Sequence, residues 1–182
     1  MTFYEIDPMV EQIARDPRLF TYLQNSPGVT DVTIGDGRKL MAGVLDGSQD
    51  LIIVDAFSSD SVPVHLMTRE ALRTYVSRLA PDAMVAFHIS NRYLDLESVL
   101  ASTAASEGLF GIANRDTAVH PGDENAGRSP SHWVLVSRER TPLEAMQRRP
   151  GWRLLQDRGR TAAWTDDYSN ILDALIFGRS ER

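Results

Sequence analysis

The sequence predicts an α/β domain in which a mostly parallel, doubly wound sheet carries helices on both faces. Three observations point there. Leu51–Phe57 (LIIVDAF) and Ala83–Ser90 (AMVAFHIS) are largely apolar runs, as expected of central strands buried on both faces. Segments of helical period lie between and after them, and short polar connections separate the two kinds of element. No internal repeat and no shift in composition divides the chain, so residues 1–182 read as one domain.

Each element follows from local signals. In MTFYEIDP, apolar Phe3 and Ile6 flank Tyr4 and Glu5 in a short β-prone run, and Asp7-Pro8 then reads as an N-cap with proline at the first helical position. Val29–Ile34 (VTDVTI) alternates as a half-buried strand does, and the following GDGR reads as a turn. Thr68 caps TREALRTYVSRLAP, where Leu72, Tyr75, Val76 and Leu79 keep helical spacing and Pro81 closes the element. Asp95 caps a helix that carries Leu96, Val99 and Leu100 and stops at Gly108. Strands are expected at LFGIA (Leu109–Ala113) and HWVLVS (His132–Ser137), separated by a polar loop at His120–Pro130, and a last helical segment is expected after Asn170.

Composition narrows the function. The chain is 42% hydrophobic and 24% charged, which is globular, and long enough to bury a core. A formal net charge of -6 disfavours nonspecific nucleic-acid binding, which needs a basic field, and is compatible with a cationic ligand. Without cysteine there is no disulfide, thiolate metal site or Cys nucleophile. No apolar run approaches the roughly 18 residues of a membrane span, so a soluble, cytoplasmic chain with no membrane partner is expected.

Acids stand just past three expected strands: Glu5, Asp36 and Asp55. In open parallel α/β sheets that edge is where ligands bind, so the three form one candidate site; the alternative is that each is a helix cap or turn residue. A carboxylate in the place of Glu5 commonly takes the two hydroxyls of a ribose, with a glycine-rich turn about 20 residues earlier holding the rest of the nucleotide. The residues before Glu5 leave no room for that turn. Among other candidates, His88 lies in a buried strand and reads as structural, while His65, His120 and His132 lack metal-ligand spacing. Trp133, Trp152 and Trp164 read as core or rim aromatics. Asp166, Asp167 and Tyr168 read either as facing a site mouth or as solvated, and Ser58 and Ser59 lack a nucleophile-elbow context.

TFYEIDP, VTIGDGR, DLIIVDAFSSDSVPVHLMTREAL and AFHISNRYLDLE, in this order and spacing, together with SPSHWVLVS and WTDDYSN, resemble the spermidine synthase family of polyamine aminopropyltransferases. The likeness extends to bacterial spermidine-synthase-like domains fused to transporter-like membrane segments. It implies a Rossmann-like sheet of the S-adenosylmethionine-dependent methyltransferase type. It also implies a co-substrate, decarboxylated S-adenosylmethionine or S-adenosylmethionine, a polyamine such as putrescine as acceptor, and no metal. By the same resemblance Glu5 would accept from the ribose hydroxyls, and Asp36 with Gly37 would meet the adenine. Asp55 would lie beside the reacting centre, orienting the amine and accepting its proton. The family's second acid, three residues after the first, is replaced here by Ser58; Asp60 is the next acid and is taken with Asp55 as the catalytic pair. Relative to the family, the first strand, glycine-rich loop and first helix are missing, so weak or absent nucleoside binding is expected, and whether the transfer activity persists is left open. Self-association across the opened strand edges is also expected, giving a homo-oligomer. A methyltransferase and a noncatalytic oligomeric interaction module are the rival readings.

Overall fold

The computed structural model describes residues 1–56, 63–117 and 129–176. Met1–Val44 and Leu45–Arg182 form two compact units. In the first, strands β1 (Thr2–Glu5) and β2 (Asp31–Ile34) pair in parallel, with Glu5 opposite Ile34. Helix α1 (Pro8–Arg15) starts as expected, because the Asp7 carboxylate accepts the Met9 amide at 2.8 Å and Pro8 needs no donor partner in the first turn. It buries no residue and leaves Met9, Val10 and Ile13 exposed. Edge-to-face contacts link Phe3 with Tyr22 and Phe20 with Tyr22, at centroid distances of 6.5 and 6.1 Å.

The GDGR segment opens a helix rather than making a simple turn. Gly35 has φ +148°, a conformation that glycine takes without steric cost, and α2 (Gly37–Ala42) begins directly after Asp36. The cause is capping: Asp36 Oδ1 accepts the amides of Arg38 at 3.0 Å and Lys39 at 3.2 Å.

In the second unit β3 (Gln49–Val54), β4 (Leu79–His88), β5 (Phe110–Asp116), β6 (Ser131–Ser137) and β7 (Trp152–Leu154) make one sheet in the order β3-β4-β6-β5-β7. Only β3 and β4 pair in parallel; β4 with β6, β5 with β6 and β5 with β7 are antiparallel. The expectation of a mostly parallel sheet is therefore corrected to a mixed one. β6 runs antiparallel to both of its neighbours, with Val85 opposite Val136 on β4 and Ile112 opposite Leu135 on β5.

Helix α3 (Arg69–Arg78) is capped by Thr68, whose hydroxyl accepts the Ala71 amide, and it ends three residues before Pro81. Pro81 instead falls within β4, where the pairing with β3 slips between Gln49 and Leu51 and Asp82 adopts φ 60°. Proline is tolerated at such an irregularity because the ladder is already interrupted. Phe87 lies 6.2 Å from Tyr75 of α3, while its neighbour Ala86 clusters with Ile112, Leu135 and Leu143. Adjacent strand residues point to opposite faces, so α3 and the helix carrying Leu143, α5 (Thr141–Gln147), cover opposite faces of this sheet. Helices on both faces thus match the expectation.

Among the described residues after Asn170, which run to Ile176, the expected helix does not form. The Asn170 side chain accepts the amides of Leu172 and Asp173 for a single turn. Extended pairing then takes over: Leu94 bridges Leu175, Asp95 N–H donates to Ala174 O at 2.7 Å, and Ile176 N–H donates to Tyr93 O at 2.8 Å. No described helix is long and apolar enough to cross a membrane.

Glu97 at the start of α4 (Leu96–Ser106) ties that helix to two strands. It accepts from His132 Nε2 of β6 at 2.8 Å and from both terminal nitrogens of Arg153 on β7. Burial alone would push its carboxyl up, but the hydrogen bonds from His132 and Arg153, with the Arg153 charge, outweigh it and bring the group down to about 2. A carboxyl lowered by folding stabilises the protein above its unfolded value, and that contribution is lost as pH falls toward 2. Glu97→Gln should therefore lower unfolding stability at neutral pH by about 1–3 kcal/mol. The gap from the parent should narrow between about pH 4.5 and 2, as followed by urea denaturation across that range.

Candidate functional site

Glu5 and Asp36 stand at the same end of the β1–β2 pair, because Glu5 closes β1 opposite Ile34 and Asp36 follows two residues later. Gly35 N–H donates to Glu5 O at 2.8 Å and joins the two loops. Each acid has a local task. Glu5 Oε1 accepts the Asp7 amide at 2.9 Å, and Asp36 Oδ1 serves the α2 cap. The cap reading is thus realised for Asp36, and in part for Glu5. Each carboxylate still has acceptor capacity left, since one has about four lone-pair sites and Glu5 Oε2 meets no donor among the described residues. At Gly37 an added Cβ would meet Tyr4 Cβ at 3.6 Å, an ordinary contact, so no atom of the described residues demands glycine there. A glycine at this first helical position leaves the backbone open to close approach from solvent.

Asp55 lies in the second unit, one residue beyond β3. Val54 pairs with Phe87, so the next residues, Asp55 and His88, fall side by side and on one face of the parallel pair. Asp55 Oδ1 is 2.7 Å from His88 Nδ1, and His88 Nε2 is 2.7 Å from Ser90 Oγ. Ser90 Oγ accepts the His132 amide at 3.0 Å. The imidazole stacks on Trp133, its cross-strand partner on β6, at a centroid distance of 4.6 Å and an interplanar angle of 20°. His88, read from sequence as structural, is therefore the direct partner of the candidate catalytic acid. One signal could have found it: IIVD and VAFH are apolar runs of equal length, each ending in a chemistry-bearing residue, as adjacent parallel strands would.

Other candidates resolve differently. Asp60, Ser58, Ser59 and His120 lie outside the described residues. Trp164 is core, at 1% exposure, while Trp133 and Trp152 border the cluster around Leu135. Asp166 accepts from Thr68 Oγ1 at 2.7 Å, and its amide donates to Glu70, so it fastens the start of α3 rather than standing solvated. Among the described residues no group of three His, Cys, Asp or Glu could hold a metal. A cavity of about 310 Å³ is lined by Glu97, Arg153, Leu154, Gln156 and Arg158, and by none of the acids assigned to the nucleoside.

No family model matches the chain. A polyamine aminopropyltransferase of Vibrio vulnificus is 46% identical over 74 residues, which is 40% of this chain and 23% of that protein. A probable spermidine synthase from Corynebacterium glutamicum superposes with a TM-score of 0.57 at 16% identity, covering 93% of this chain and 64% of that one. A spermidine synthase solved with the transition-state analogue AdoDATO gives 0.60 at 16% identity, over 91% and 55%. The spermidine synthase of Thermotoga maritima gives 0.56 at 14% identity, over 91% and 54%. This chain thus spans just under two thirds or less of the length of each of these solved structures. The fold is α/β, Rossmann-like and spermidine-synthase-like.

The capping role of Asp36 has a measurable consequence. Asp36→Ala should remove the cap and cost about 1 kcal/mol, seen as faster hydrogen exchange at the Arg38 and Lys39 amides. Asp36→Asn, an equally good cap, should leave that exchange nearly unchanged.

Proposed function

On the premise of a spermidine-synthase-like fold, we propose that the chain is an aminopropyltransferase-type domain. It moves the aminopropyl group of decarboxylated S-adenosylmethionine to a polyamine such as putrescine. The observation that carries this reading is the Asp55 carboxylate, set just past β3 with one oxygen held by His88 and a side chain still 57% exposed. An anionic group so placed favours both a sulfonium and an approaching amine. The amine nitrogen forms the new bond to carbon as the carbon–sulfur bond breaks, and sulfur leaves as a neutral thioether with the electron pair. The proton released from the amine passes to Asp55 and then to water. Glu5 takes the ribose hydroxyls, Asp36 and Gly37 the adenine, and Asp60 is the second acid of the pair. The net charge of -6 suits a cationic acceptor.

Calorimetric titration with decarboxylated S-adenosylmethionine and with S-adenosylmethionine, followed by assays of aminopropyl and methyl transfer, tests the reading. Asp55→Asn should lower aminopropyl turnover by about 10²–10⁴ with little change in nucleoside affinity, and Asp60→Asn should be milder. Methyl transfer alone would assign the methyltransferase reading instead.

One observation favours an association role beside catalysis. Among the described strands β3 stands at the edge of its sheet, and Leu51 and Ile53 on it are 50% and 55% exposed. Open edges of this kind template strand pairing, so we propose a homo-oligomer. Sedimentation at micromolar concentration should show a dimer or larger species that Ile53→Lys weakens, and a monomer would refute it.

A further inference from the structure

We propose that His88 is the positioning residue of Asp55: its ring fixes one carboxylate oxygen so that the other alone faces the reacting amine. The assignment starts from hydrogen-bond accounting. Ser90 Oγ already accepts the His132 amide at 3.0 Å and has one proton to give. The ionised Asp55 carboxylate only accepts, so the ring proton sits on Nδ1, and Nε2 of the neutral ring, 2.7 Å from Ser90 Oγ, accepts the hydroxyl proton. Nδ1–H then donates to Asp55 Oδ1 at 2.7 Å, a charge-assisted bond. One order of donors thus runs from the His132 backbone through Ser90 and His88 to Asp55, with every proton accounted for.

The ring is itself held. It is a residue of β4, it stacks on Trp133, and both its nitrogens are engaged. Its side chain is 27% exposed against 57% for Asp55, so the fixed group lies deeper than the group it orients. An exposed aspartate would otherwise turn freely about its side-chain bonds, and a misplaced carboxylate costs rate through lost orientation. Oδ2 meets no donor among the described residues and is the oxygen left for the substrate. This inference rests on the placement of Asp55 beside the amine for its kinetic consequence, and on geometry alone for its spectroscopic one.

The test has two arms. Nitrogen-15 NMR of the chain should show His88 protonated at Nδ1 and unprotonated at Nε2, with a far-downfield Nδ1 proton that moves upfield in Asp55→Asn. An Nε2-protonated ring, or a His88 spectrum indifferent to Asp55→Asn, overturns the proposal whatever the activity proves to be. In the kinetic arm His88→Gln, whose amide reaches toward Ser90 rather than Asp55, should lower kcat for aminopropyl transfer by about 10–100-fold, the size seen when an orienting partner is lost. KM for the nucleoside should stay near that of the parent. His88→Asn, whose amide nitrogen can take the place of Nδ1, should recover most of the rate. Equal losses in both variants would show a merely structural role. Absence of transfer by the parent chain would count against the proposed function, and the NMR arm would still decide the Asp55–His88 pair.

Discussion

Val54 lies opposite Phe87 in the parallel β3–β4 ladder, and the arrangement of groups at the end of those strands follows from that register. Ile52, Val54, Val85 and Phe87 are all buried, and side chains alternate along a strand. A slip of one residue would turn this buried set toward the other face, at a cost of about 1.5–3 kcal/mol for each large side chain exposed. The hydrophobic pattern therefore holds Asp55 beside His88. The antiparallel pairing of His88 with Trp133 continues the same row across to β6 and supplies the stacking surface.

The carboxylates of this acidic chain divide by how completely the fold uses them. Glu97 is 16% exposed, receives hydrogen bonds from His132 and Arg153, and works as a clamp between α4, β6 and β7. Glu107 plays a similar part for α3, accepting from Arg69 and Arg73. Glu5 and Asp36 are intermediate, each giving one oxygen to backbone amides. Among the described residues Asp55 has one ring nitrogen as partner, and its other oxygen meets no donor. A carboxylate saturated with donors is committed to structure, whereas one oriented by a single donor can still take a ligand.

His132 connects the two kinds. Its ring bonds to Glu97, while its backbone amide holds Ser90, which holds His88. The clamp that secures β6 thereby also sets the base on which the Asp55 partner rests. Contiguous hydrogen bonds of this kind pass positional order from a partly buried hydrogen-bonded pair to an exposed group, without any requirement for motion.

By itself the sequence determined which segments would be strands or helices where the signal was local. AMVAFH is a strand buried on both faces, as its continuous apolar run predicts, whereas LIIVD forms a strand that buries Ile52 and Val54 and leaves Leu51 and Ile53 exposed; Asp7, Thr68 and Asp95 cap helices because their side chains reach the next amides. It also marked Asp55 as an acid at a strand end. Strand direction was decided only in three dimensions, because the apolar pattern of HWVLVS encodes burial and is the same for a parallel or an antiparallel neighbour. The helical turn after Asn170 gave way to pairing of Leu94 with Leu175, a contact between residues far apart in the chain. For the same reason His88 looked structural: its partners Asp55 and Trp133 stand 33 and 45 positions away, and only the register of three strands brings them to one ring.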